Sequence, residues 1–465
     1  MIEEEKFKAY FRNNSDFWRA FKNKEIFLDV PKSVAKKEEL ILHIFDSIKD
    51  KTYYPSTPVM YITRNKGKGV SRIIPVFSVK DYCVYYYCIK SFEEKIAYNR
   101  IPNTFGGWTL GGVIRGSEDD EMIRRKGDYD SFEEFLAEQN GVSISEYSFN
   151  PLAWVQAYGD MNAKLYATAK LEDYKYVAEL DIANFYDSVR LDILETRIRE
   201  ITGVENQEEV SLLFHFLNYW NRNVNLYGKQ VVGLPQDALA DCSRILANFY
   251  LQPYDEYVFD LSQKEGFRYF RYADDQFIFA DTEEKLKFII FKISQKLNYL
   301  GLNINQKKVV VRKTEELISH RSFEIFDILK EKDTKKDVDA VEKFVDGYLS
   351  MLDKDGLKNI KERGNPLLTR ALFCPALASI ELLRKAKLKA SYLDDEYLEY
   401  AKATHFEKIY NFLSDEEKLL FIEKLALLSD KLYHNAFHYE VISFLNKIGI
   451  NSSNIKKRIK ELETY

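Results

Sequence analysis

The stretch FRYFRYADDQFIFAD, Phe267 to Asp281, sets two adjacent carboxylates, Asp274 and Asp275, between an aromatic approach and an apolar exit. Phe267, Tyr269, Arg271 and Ala273 alternate with Arg268, Phe270 and Tyr272, and beyond the pair Phe277 and Phe279 alternate with Ile278. That is the period of a β-strand on each side. The acids are therefore expected at a hairpin tip or where a strand ends. By itself, a solvated turn accommodates Asp-Asp well.

A second window gives the pair a partner. In YVAELDIANFYDSVR, Tyr176 to Arg190, Asp181 closes an apolar strand and is followed by Ile182. The plain alternative is a helix N-cap for the residues that follow. Three carboxylates at strand ends of one sheet repel one another unless a cation lies between them. Magnesium takes hard oxygen ligands and leaves coordination sites for substrate phosphates. The set therefore suits two-metal phosphoryl or nucleotidyl transfer.

Composition sets the bounds. With 465 residues, 46% of them hydrophobic and 30% charged, the chain has enough material for two or three globular domains. The 32 Tyr and 32 Phe can stack on bases, but core packing is the simpler use for them. A net charge of −5 does not advertise a nucleic-acid binder, although a binding channel is a local patch. Cys83, Cys88, Cys242 and Cys374 show no CxxC spacing, which points to a reducing compartment rather than a disulfide frame or zinc knuckle. The start, MIEEEKFKAYFRNN, is charged, and no run approaches the ~18 apolar residues of a membrane span. The expectation is a soluble, cytoplasmic protein without a membrane partner.

Along the chain, the first fifty residues read as amphipathic helix. TPVMYITRNKGKGVSRIIPVF reads as a basic β-hairpin, and a helical stretch follows from Lys80 to about Asn99. The glycine-rich IPNTFGGWTLGG and the mixed-charge segment after it read as an inserted or peripheral element, more loop than core. From about Gly159 strands and helices mix, as in an α+β or α/β sheet covered on one face. Beyond Asp339 only helical spacing recurs, as in EEKLLFIEKLALLSDKL, and suggests an antiparallel bundle or helical repeat.

Four segments in order, LDIANFYD, GLPQDALADCSRILANFYL, FRYADDQFIFA and LGLNINQKKV, resemble motifs A to D of the reverse-transcriptase palm. RNKGKGVSRIIPVFSVKDY upstream resembles the fingers motifs that meet the incoming triphosphate. The likeness runs from about Pro55 to Val311. It implies an α+β fold with a right-hand polymerase palm and fingers and an all-helical C-terminal domain. The implied limits are N-terminal helices and fingers over 1–105, a fingers insertion over 106–158, the palm over 159–320 and a helical thumb or repeat-like domain over 321–465.

By the same resemblance, Asp181 and Asp274 are the main ligands of two Mg²⁺ ions, Mn²⁺ being the alternative. Asp275 is auxiliary, and the carbonyl of Ile182 serves the second metal. Tyr186 walls off the sugar 2′ position and so favours deoxynucleotides. Arg72, with Lys66 or Lys68, grips the triphosphate by charge-assisted hydrogen bonds. For Lys66 and Lys68 a solvated turn is an equal reading. Gln236 lines the nucleotide and template pocket. Lys308 protonates the leaving pyrophosphate as general acid, with Lys307 its neighbouring rival.

Departures from the family pattern bear on function. Asp237 stands where motif B carries glycine, and ADCSRILAN replaces its Ser-Pro stretch; a carboxylate there is expected to stiffen the loop and to place negative charge near a template strand. The helical tail shows no HNH-like cluster, and His434 and His438, four apart, read as structural or surface residues rather than a metal pair. Palm, insertion and tail together resemble the abortive-infection and defence-associated bacterial reverse transcriptases. That implies a phage-defence RNA-directed DNA polymerase, with dNTPs, a noncoding RNA and a DNA product as partners, homo-oligomeric, and either templated or untemplated. A protein hydroxyl is a candidate primer, Tyr465 among them. A retron-type copying enzyme and a catalytically silent RNA-binding scaffold are the alternatives.

Overall fold

The structure, a computed structural model, describes residues 2–12, 15–22, 26, 29–67, 69–98, 100–110, 153–222, 226, 228–321, 338–355, 368–369, 372–373 and 386–463. Cys374, Tyr465, Lys68 and most of the expected 106–158 insertion lie outside them. The chain divides into two compact units, Met1–Tyr61 with Ile74–Glu315, and Ile62–Ile73 with Glu316–Tyr465. The tip of the basic hairpin thus groups with the C-terminal helices.

In the first unit, helices α1 (Glu4–Arg12), α2 (Ser15–Lys22) and α3 (Val34–Lys49) precede the base of the hairpin, whose strands β1 (Met60–Asn65) and β2 (Ser71–Val76) belong to the second unit over Ile62–Ile73. Helices α4 (Val79–Lys90) and α5 (Glu93–Ala97) follow, then β3 (Thr104–Phe105), α6 (Ala153–Ala169), β4 (Tyr176–Asp181), α7 (Phe185–Ser188), α8 (Leu191–Thr202) and α9 (Gln207–Tyr219). The long α10 (Asp241–Glu265) leads into β5 (Arg268–Tyr272), β6 (Asp275–Ala280), α11 (Glu283–Tyr299) and β7 (Val310–Lys313), and α12 (Thr314–Arg321) passes into the second unit at Glu316.

The five-stranded sheet has the order β3-β5-β6-β4-β7. Strand β3 runs parallel to β5, and the other neighbours are antiparallel. Expecting one covered face understates the burial at the sheet's centre: from Gln276 to Ala280, β6 is no more than 2% exposed at any residue, so both of its faces are closed. Nor is the glycine-rich segment all periphery. Thr104 and Phe105 form an edge strand of this sheet, and Trp108 and Leu110 are buried.

Helix α10 contains Pro253, which has no N–H to offer the carbonyl of Phe249 one turn back. Arg197 supplies the missing donor, its Nη1 lying 2.8 Å from that carbonyl and 3.2 Å from that of Tyr250. Burial pulls the Arg197 guanidinium down to about 10, still charged at neutral pH. The helix therefore runs on through the proline and carries Asn248 and Asp255 to the sheet.

The second unit carries α13 (Val338–Asp355), α14 (Ala386–Tyr392), α15 (Asp395–Tyr400), α16 (Ala403–Phe412), α17 (Asp415–Lys431), α18 (Asn435–Lys447) and α19 (Ser453–Glu463). Among the described residues after Val338 there is no strand, as the spacing predicts. Phe406, Phe421, Phe437 and Phe444 meet edge to face at its centre. Among the described residues no helix is long and apolar enough to cross a membrane.

Candidate active site

Strands β5 and β6 pair so that Tyr272 faces Asp275, leaving Ala273 and Asp274 as a two-residue turn. Tight hairpins of this length need a positive φ, normally supplied by glycine or asparagine. Here Ala273 takes φ 51°, a strain of about 1 kcal/mol that surrounding bonds must overcome. Arg271 supplies one of them, donating through Nη1 to the Ala273 carbonyl at 2.9 Å.

Arg271 is fully buried in a strand of aromatic residues. Its fork meets Asp255 of α10, Nε to Oδ1 at 2.8 Å and Nη2 to Oδ2 at 2.5 Å, and Nη1 also reaches Asn248 Oδ1 at 2.8 Å. Burial opposes the charge on Arg271, but Asp255 outweighs it and holds the guanidinium pKa above its ordinary value. Gly106 comes up against this network with φ 115°, where an added Cβ would stand 3.0 Å from Asn248 Nδ2. The glycine-rich segment thus supports the hairpin that carries Asp274 and Asp275.

Across the sheet, Asp181 at the end of β4 is the direct partner of Asp275, which brings their side chains within about 5 Å at Cβ. Asp274 is the residue before. Asp181 is 7% exposed. Its Oδ1 receives the Lys308 ammonium at 2.6 Å and its Oδ2 the Asn305 amide at 3.1 Å. The hydrogen bond to Asp181 raises the Lys308 pKa; partial burial opposes it, and the charges of Asp181, Asp274 and Asp275 add to the rise. Lys308, rather than Lys307, is thus the lysine placed among the acids.

On the β7 side of Asp181 the bonds are made by the Ala183 N–H to Asn303 and by the Asp181 carbonyl from Asn305. Carbonyls alternate direction along a strand, so that of Ile182 faces the Asp274–Asp275 side. Among the described residues no three acids, histidines or cysteines are already gathered into a metal centre. The donor set nevertheless fits hard divalent ions: Asp181 already holds a cation, and the Lys308 side chain is 62% exposed and free to swing aside.

The loop bearing Gln236 is held from several sides. The N–H groups of Gly233 and Leu234 donate to the carbonyls of Val189 and Tyr186 at 2.8 Å each, and Ala238 N–H donates to the Pro75 carbonyl at 3.1 Å. The backbone of Tyr186 is therefore tied to the Gln236 loop, and both side chains are half-buried.

For Asp237 the structure reverses the expectation of a charge facing a template. Its carboxylate is buried, with Oδ1 accepting from the Tyr82 hydroxyl and from the N–H groups of Leu239 and Ala240, each at 2.9 Å. Tyr82, Tyr85 and Tyr86 share one face of α4 at i, i+3 and i+4 spacing. Tyr86 donates to Asp241 at 2.9 Å, and the Tyr85 hydroxyl meets Ser243 at 2.8 Å. Much of the tyrosine content is thus core with a polar handle.

Arg72 and Lys66 are exposed on the hairpin and belong to the second unit. His438 is fully buried in that unit, Nδ1 against the His434 carbonyl at 3.0 Å and Nε2 against the Ser429 carbonyl at 2.8 Å. With both ring nitrogens engaged, it is a structural residue. Asn305, Asn248, Asp255, Gly106 and the α4 tyrosines all escape the motif reading. Arg271 alone carried a signal, as a cation in an apolar strand.

Paired acids on antiparallel strands, a lysine between them and a glutamine loop beside a tyrosine define a nucleotidyl-transfer palm. Residues 137–325 match the family Reverse transcriptase (RNA-dependent DNA polymerase), so the chain carries a reverse-transcriptase domain, the catalytic domain of an RNA-directed DNA polymerase. No curated protein sequence matches the chain. Among solved structures, apo telomerase from Candida tropicalis is similar at 12% identity over 90% of this chain and 76% of that one, with a TM-score of 0.35. The same telomerase with a fragment of telomeric RNA is similar at 13% over 60% of this chain and 50% of that one, with a TM-score of 0.29. Telomerase from Candida albicans with such a fragment is similar at 11% over 66% and 50%, with a TM-score of 0.26.

Proposed function

We propose that the chain is a magnesium-dependent polymerase that adds deoxynucleotides to a primer hydroxyl, acting in antiviral defence in the bacterial cytoplasm. The observation that carries the chemistry is Asp181 facing Asp275 across β4 and β6 with the Lys308 ammonium on Asp181. Asp181, Asp274, Asp275 and the carbonyl of Ile182 would hold two divalent ions. Bound there, such ions polarise the α-phosphate, lower the pKa of the primer hydroxyl and neutralise the triphosphate.

The chain's own groups do the remainder. The primer hydroxyl gives up its proton to solvent and its oxygen forms a bond to the α-phosphorus as the bond from that phosphorus to the β-phosphate oxygen breaks, and the leaving pyrophosphate takes a proton. Lys308, its side chain 62% exposed, donates it. The ring of Tyr186 excludes a 2′-hydroxyl, Gln236 lines the base pocket, and Arg72 and Lys66 meet the triphosphate.

Three features that resemble those of defence-associated enzymes support such a role, with a protein hydroxyl as candidate primer and either a noncoding RNA or nothing as template: the helical tail, the glycine-rich segment and the altered motif B. The direct test incubates purified protein with Mg²⁺ and single labelled dNTPs, with and without a primed RNA. Incorporation that persists in an Asp181→Asn, Asp274→Asn variant overturns the site. Label that stays on denatured protein and is lost on proteolysis supports protein priming, and label that appears only with added primer-template excludes it. Phage protection that survives the double substitution would show that defence does not run through polymerisation.

A further inference from the structure

The helical unit includes the tip of the hairpin that carries Lys66 and Arg72, and three of its residues bond that tip: Asn435, Glu399 and, by a long 3.5 Å bond to the Asn65 carbonyl, the Tyr400 hydroxyl. Asn435, the first residue of α18 and 5% exposed, accepts on Oδ1 from the Thr63 N–H at 2.7 Å and the Thr63 hydroxyl at 3.2 Å. Its own N–H returns a bond to Thr63 Oγ1 at 3.0 Å. Glu399 of α15 accepts from Asn65 Nδ2 at 2.7 Å, while Asn65 Oδ1 takes the Gly67 N–H at 2.7 Å. The Asn65 amide thus spans from the tail helix to the turn itself. That turn is closed by Lys66 N–H to the Val70 carbonyl at 2.7 Å.

A two-stranded ribbon is marginally stable on its own, and this one has little core near its tip: Arg64, Lys66, Val70, Arg72 and Ile73 are all exposed. Contacts from elsewhere must fix where its cations stand.

We propose that the C-terminal helical unit sets nucleotide affinity through Asn435 and Glu399, which act as positioning residues for Lys66 and Arg72. This rests on reading those two cations as triphosphate ligands. With the tip released, the competent geometry is populated only part of the time, and apparent affinity falls by that fraction.

The test uses the full-length protein with Mg²⁺ and a fluorescent dGTP analogue, and reads the dissociation constant without turnover. Asn435→Ala and Glu399→Ala each weaken binding by about fivefold, the effect of a competent fraction of about one fifth. Glu399→Gln, which keeps the acceptor, binds like the parent. Incorporation kinetics give the same split, a raised KM with kcat little changed, whereas simple loss of folded protein lowers kcat alone. Hydrogen exchange reports release directly, as faster exchange at the Thr63 and Gly67 amides in the two alanine variants. Unchanged dissociation constants in both alanine variants overturn the proposal while leaving the polymerase reading intact. A parent protein that shows the binding pattern but incorporates no nucleotide sinks the polymerase reading and leaves this one standing. A parent that does not bind the analogue removes both.

Discussion

Replacing Arg271 with methionine separates what holds the palm together from what shapes its catalytic turn. The side chain is fully buried and makes four hydrogen bonds, two to Asp255, one to Asn248 and one to the Ala273 carbonyl. Methionine fills much of the volume but strands the Asp255 carboxylate, itself 0% exposed, without its cation. Breaking a buried ion pair from one side costs about 3–5 kcal/mol, much of a domain's total stability. The single variant is expected to melt well below the parent or to fail to fold.

An Arg271→Met, Asp255→Leu double variant removes both charges, and such replacements are commonly neutral or stabilising, so its melting temperature should recover most of the loss. Activity should not recover. Ala273 would still hold φ 51° without the bond to its carbonyl. A contribution of about 1.4 kcal/mol to the turn corresponds to about tenfold in rate. Thermal melts and single-nucleotide incorporation on the same preparations are the assay. A stable double variant with parental activity refutes a role for Arg271 in shaping the turn. A double variant as unstable as the single one refutes the ion pair as the source of the cost.

Further expectations come from other parts of the molecule. Asp237→Gly restores the residue usual in motif B but removes three hydrogen bonds at one carboxylate oxygen. It should cost about 1–3 kcal/mol and lower incorporation, and a gain in product length without loss of stability would refute the assigned role of this carboxylate. On the proposed role of Tyr186 as the wall beside the sugar, Tyr186→Ala should reduce discrimination against ribonucleotides by at least about tenfold, equivalent to 1.4 kcal/mol; competition between dGTP and GTP measures it. Burial first, and the Lys402 charge second, push the His405 pKa down to about 4, and its Nδ1 accepts the Lys402 N–H at 3.2 Å. The neutral ring therefore contributes stability above about pH 6.5 that is lost as pH falls toward 4, at most about 3 kcal/mol for a shift of this size. Melts of the parent and of His405→Gln between pH 7 and pH 4.5 should converge at the acid end, and parallel curves would exclude this linkage.

The placement of the candidate site's three acids was legible because its signals are local. Strand period on each side of Asp274 and Asp275, and an apolar run ending at Asp181, place three acids at strand ends without reference to anything distant. What could not be read depends on burial and on chain-distant partners. A carboxylate at position 237 looks like a charge offered to a template until Tyr82, 155 residues away, is seen to bond it. Thr63 and Asn435, 372 residues apart, leave no trace of their contact in either segment. The glycine-rich run looked like an insertion because glycine usually marks a loop, whereas Gly106 is there to let a backbone approach Asn248.

Arg271 stands between these cases. A guanidinium on the inward face of an aromatic strand cannot be buried without a carboxylate, so its position alone calls for an acid on a packed helix. In DCSRILANFYLQPYDEYVF the helix runs through Pro253, which proline alone would argue against. The acid two residues beyond it meets the strand because Arg197 has replaced the missing N–H. The rule that a proline ends a helix misleads here for a physical reason, and the same substitution carries the palm's one fully buried ion pair among the described residues to the base of the catalytic turn.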